Sequence, residues 1–87
     1  MPTVAELKDW LGMAESTLAT EFAESRISQK IYDQLKSRLA SASRMVHDAE
    51  MNDGSFAGAD ALVEASGMAS NFVSEAADAG VTIAALQ

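Results

Sequence analysis

The sequence predicts an all-α protein: a three-helix bundle with helices over about residues 3–23, 28–51 and 56–79, closed by a short apolar C-terminal tail over 80–87. Three observations predict it. Three stretches carry apolar residues at alternating spacings of three and four, the repeat that gathers side chains on one face of a helix. Each stretch follows a hydroxyl residue able to cap it, Thr3, Ser28 or Ser55. Between the last two, Asn52-Asp53-Gly54-Ser55 is the strongest punctuation in the chain.

The first helix opens on a capping box. Thr3 is followed three residues later by Glu6, so hydroxyl and carboxylate can satisfy free backbone amides at the helix start. Val4, Leu7, Leu11, Ala14 and Leu18 form its stripe, with Trp10 and Phe22 at its flanks. Gly12 interrupts it at a cost of roughly 1 kcal/mol, and its missing side chain is expected to leave room for another backbone beside Trp10. No glycine or proline lies between Gly12 and Gly54, so a single helix of some forty residues is the alternative to two. The stripe argues for two: carried forward, its register lands on Glu21, Ser25 and Ser28, all polar. A turn is therefore expected around Glu24 to Ile27, with Ser28 as N-cap and Ile27 and Tyr32 placed as a hydrophobic staple.

The second helix carries the longest stripe, Tyr32, Leu35, Leu39, Ala42, Val46 and Ala49, with Ile31 and Met45 on the same side. The rest of the chain is expected to be built around it. In the third helix the stripe is Leu62, Ala65, Ala69, Phe72, Ala76 and Ala79. Its opposite side, Ala59, Val63, Ser66, Gly67, Ser70, Val73 and Ala77, is small and uncharged, which would let a further helix approach closely. Gly80 ends this helix. Val81, Ile83, Ala84, Ala85 and Leu86 follow without a charge, so the tail either folds back or docks on another chain.

Eighty-seven residues make one domain, near the lower limit for a core without disulfides or metals. The absence of cysteine excludes a disulfide framework, a thiolate metal site and a cysteine nucleophile. Pro2, Glu6 and Asp9 stand where a signal peptide would be basic and then apolar, and no apolar run approaches a membrane span. The expected location is cytoplasmic or within an assembled particle, with no signal-peptide secretion. The net charge of −7 is unevenly spread: residues 1–24 hold five acids against Lys8, residues 25–50 five bases against three acids, and residues 51–87 five acids and no base. A mildly basic helix between two acidic ones reads as internal complementarity. Duplex nucleic acid, which demands a cationic surface, is not an expected partner.

Chemistry-bearing constellations are few. His47, with Asp48 and Glu50, could supply part of a carboxylate–imidazole site, but bundle sites of that kind draw on two helices and the chain has no second histidine. The simpler reading is a surface histidine near a helix C-terminus. Asp53 to Glu64 has the length of a calcium loop, yet Ala57 and Ala61 occupy ligand positions, so a turn and capped helix is the better reading. Trp10-Leu11-Gly12 resembles the tripeptide that names the small helical-hairpin substrates of type VII secretion. In that family it lies in the mid-chain turn, whereas here it falls inside the first helix, and no family is assigned from it. There is no phosphate loop and no nucleophile elbow, and the paired carboxylates Glu21 and Glu24 lie on a helix surface.

The expectation is a non-catalytic interaction or structural protein, without cofactor, metal or small-molecule substrate, serving as a small subunit of an oligomer or larger assembly such as a virion particle. Its partner, foreign or a second copy, is expected on the third helix and tail, at Val63, Val73, Val81, Ile83 and Leu86, with Phe72 in the core. The alternative is a small acidic inhibitor or adaptor, of phage or plasmid type, covering a basic surface of a host protein through Glu6, Asp9, Glu15, Glu21, Asp60, Glu64, Glu75 and Asp78.

Overall fold

The computed structural model describes residues 2–86. Its elements are α1 (Val4–Ala23), α2 (Gln29–Met51) and α3 (Phe56–Asp78), followed by an extended tail. All three N-caps fall on the predicted hydroxyls. Thr3 accepts from the Glu6 backbone amide at 3.2 Å while the Glu6 carboxylate accepts from the Thr3 amide at 3.1 Å, a complete capping box. Ser28 accepts from the Ile31 amide at 3.2 Å and Ser55 from the Gly58 amide at 3.1 Å.

The turn between α1 and α2 lies where the stripe loses its apolar residues. Ser25 takes the left-handed conformation, φ 61°, that glycine usually supplies. The Ser25 amide donates to the Phe22 carbonyl and the Arg26 amide to the Glu21 carbonyl, so the last carbonyls of α1 are satisfied by a Schellman closure without glycine. Gly80, φ 86°, closes α3 in the same way, with its own amide on Ala77 and the Val81 amide on the Ala76 carbonyl at 2.8 Å.

The long second helix is the central element, packed against both α1 and α3, while α1 and α3 make little direct contact with one another. Leu35, Leu39, Ala42, Val46 and Ala49 are buried along it, facing Leu7, Ala14 and Leu18 of α1 and Ala65, Ala69, Phe72 and Ala76 of α3. The space between α1 and α3 is closed by the tail. Val81 and Ile83 enter the core, at 1% and 5% exposure, and Leu86 packs against its edge. Trp10 is 5% exposed, sets its ring edge-on to Phe72 with centroids 5.8 Å apart, and donates its indole N–H to the Ala84 carbonyl at 2.7 Å. Because Phe72 lies two turns before the end of α3, the tail must run back alongside that helix to reach Trp10.

Two details differ from the sequence reading. Trp10 is a core residue holding the tail rather than a flank of the stripe, and Gly12 has no role in that contact: nothing lies within 4 Å of the position a Cβ would take. The glycine that does admit a close approach is Gly58, buried against α2, where a Cβ would collide with the Asn52 carbonyl group. The Trp10-Leu11-Gly12 tripeptide lies within α1 and not in a turn. Among the described residues no buried side-chain polar atom lacks a partner, and no helix is long and apolar enough to cross a membrane.

Candidate interaction surface

The surface of interest lies where α1 begins, α2 ends and α3 begins. Its geometry starts with the turn residues. Ser55 caps α3 and also donates its hydroxyl to the Asn52 carbonyl at 2.6 Å, binding the two sides of the turn together. Gly58, one turn in, presses the start of α3 onto the last turn of α2. With the helix seated this way, Phe56 lies off the buried stripe and stands 92% exposed. Beside it opens a cleft of about 570 Å³, lined by the half-buried Val4 and Leu62 and the buried Ala49, with the exposed Asp53, Gly54, Ser55, Phe56 and Ala59 around them. An adjoining recess shares Val4, Leu62 and Asp53 and adds Thr3, Ala5, Lys8 and Glu50.

Polar groups around this cleft are already committed to the fold. The Thr3 and Ser55 hydroxyls cap helices. Lys8 of α1 and Glu50 of α2 form an ion pair across the recess, and the ammonium hydrogen bond holds the Glu50 carboxyl below its ordinary range. What remains is an apolar floor, an exposed aromatic ring and the Asp53 carboxylate, a set suited to holding a side chain of another molecule rather than to proton transfer. His47 is exposed on α2, and among the described residues no group of three or more His, Cys, Asp or Glu stands close enough together to share a metal ion. The segment resembling a calcium loop in length is helical from Phe56 onward, so its carboxylates do not converge on one point.

The five residues expected to face a partner do not share one surface. Val63 is 56% exposed on the outer side of α3, Val73 is half-buried against the core, and Leu86 is half-buried at the end of the tail. Val81 and Ile83 are inside the chain's own core, because the groove between α1 and α3 takes them up. Of the two outcomes foreseen for the tail, the chain adopts folding back. Phe56 and the 70% exposed Met51 were not among the expected contacts. Phe56 was detectable: it lies six residues before Leu62, off the stripe through Leu62, Ala65 and Ala69.

No protein-family model, no curated protein and no solved structure matches this chain.

Proposed function

We propose that the protein is a non-catalytic interaction module, a small subunit that docks on a larger assembly through the outer face of α3 and the cleft at its start. The observation carrying this reading is Phe56, a large apolar side chain left 92% in water beside an apolar cleft. Single exposed apolar residues are common, but an aromatic ring adjoining an unfilled apolar recess is the arrangement of an interface anchor and its pocket. With Val81 and Ile83 folded into the chain's own core, the contact with a partner falls to α3 and the cleft rather than to the tail.

A photo-crosslinking amino acid placed at Phe56 or Val63, in cells that naturally make the protein, is expected to yield a discrete adduct. The same group at Gln34, exposed on α2, is expected to yield none. Equal labelling at all three positions, or none at any, would remove this reading.

One observation favours the second reading, an acidic inhibitor or adaptor. From Met51 onward the chain has no base, and Asp53, Asp60, Glu64 and Asp78 have no cation within ion-pair distance among the described residues. A complex held by those carboxylates alone would dissociate as salt is raised, whereas one anchored by Phe56 would persist.

A further inference from the structure

The cleft and the outer face of α3 together carry enough chemistry to say what kind of partner fits. Resting on the interaction reading above, we infer that the occupant is a cationic amphipathic helix: one that sets an apolar side chain into the cleft beside Phe56 and lays lysine or arginine along the acidic flank of α3. Three features lead there. The face is an exposed helical one, running from Phe56 through Ala59 to Val63 and Gly67, and a second helix can lay a ridge along it. Its anchor point is apolar, with the exposed Phe56 and Ala59 beside the half-buried Leu62 and Val4. Its flank is anionic, with Asp60 and Glu64 one turn apart on α3 and Asp53 on the cleft rim, and no base occurs in this part of the chain.

Charge selects among the possible occupants. A second copy would bring its own α3, equally acidic and equally without a base, against this one, and each chain carries a net −7. Like charges apposed across a contact are strongly disfavoured. A neutral apolar helix would fill the cleft but leave the carboxylates of Asp60 and Glu64 beside a dry contact with no counter-charge. A helix with apolar residues on one face and cations on its edges satisfies both demands at once.

The experiment uses the full chain and three synthetic peptides of about four helical turns: one with leucine on one face and lysine on the flanks, one with the lysines replaced by glutamate, and one with the leucines replaced by serine. Calorimetric titration is expected to give a 1:1 complex with the leucine/lysine peptide, at least about tenfold tighter than with either other peptide. Phe56→Ser is expected to weaken that complex about tenfold or more, and the pair Asp60→Asn with Glu64→Gln to weaken it several-fold and reduce its salt dependence. These positions are on the surface, so circular dichroism should show an unchanged fold. Equal binding of the glutamate peptide, indifference to Phe56→Ser, absence of binding, or Phe56-dependent dimerisation of the protein itself would each overturn the inference. Failure of the peptides alongside a persisting Phe56 crosslink in cells would leave the interaction reading standing and reject only this partner chemistry.

Discussion

Ser25 occupies a backbone position that costs an L-residue of its kind on the order of 1 kcal/mol, because its Cβ crowds the following carbonyl at φ 61°. Glycine has no Cβ to crowd. Ser25→Gly is therefore expected to stabilise the protein by about 0.5–1 kcal/mol, read as a raised urea midpoint with an unchanged slope. Gly58 presents the opposite case. Its buried Cα abuts the Asn52 carbonyl, so Gly58→Ala forces backbone against backbone and is expected to destabilise by about 1–3 kcal/mol. At Gly67 a Cβ meets nothing within 4 Å, and Gly67→Ala is expected to raise stability by about 1 kcal/mol in the same urea assay. Three glycine-related substitutions thus have signs set by local space and φ alone. None could be read from composition, where Gly12, Gly58 and Gly67 all look like interruptions of a helix.

The helices themselves were legible because their information is local. Thr3, Ser28 and Ser55 each cap the helix they precede, and the loss of apolar residues at Glu21, Ser25 and Ser28 marks the turn although no glycine stands there. The fate of the tail was not legible. Val81 and Ile83 have the same spacing whether their groove belongs to their own chain or to another, and the Trp10 indole they are fastened beside lies far back in sequence. At the candidate site the exposure of Val63 and Phe56 was legible from their positions off the stripe, but the cleft beside Phe56 was not, because it depends on how Gly58 seats the start of α3. Trp10→Phe keeps the ring against Phe72 and removes the donor to Ala84. It is expected to cost about 1–2 kcal/mol, and amide exchange in residues 81–86 should accelerate more than in α2. Equal acceleration everywhere would mean that the indole bond does not hold the tail.

The electrostatics of the molecule as a whole follow the arrangement of its helices. Among the described residues two ion pairs join elements, Lys8 of α1 to Glu50 of α2 and Arg38 of α2 to Glu75 of α3, and all four side chains are exposed. Such pairs orient neighbouring helices and add little to stability. The Lys8 hydrogen bond favours ionised Glu50 in the folded state, so its contribution is complete above the ordinary carboxylate value near 4.5 and is lost as pH falls through the lowered one. A carboxyl ¹³C titration is expected to place the Glu50 midpoint below that ordinary value and to return it there in Lys8→Met. An unchanged midpoint in the variant would show that Lys8 is not the cause. The basic middle helix and acidic outer ones therefore meet at few defined contacts, and most of the acid of α3 remains available to other molecules.

The tail has a mechanical consequence. It lies back along α3, turning at Gly80, so a pull on its far end away from the bundle loads its contacts one after another instead of together. Contacts loaded in series yield at low force, as a zipper does. In a single-molecule experiment pulling between residues 3 and 86, the first event should be the peeling of Ala84, Ile83 and Val81 from Trp10 and the core, before any helix of the bundle gives way.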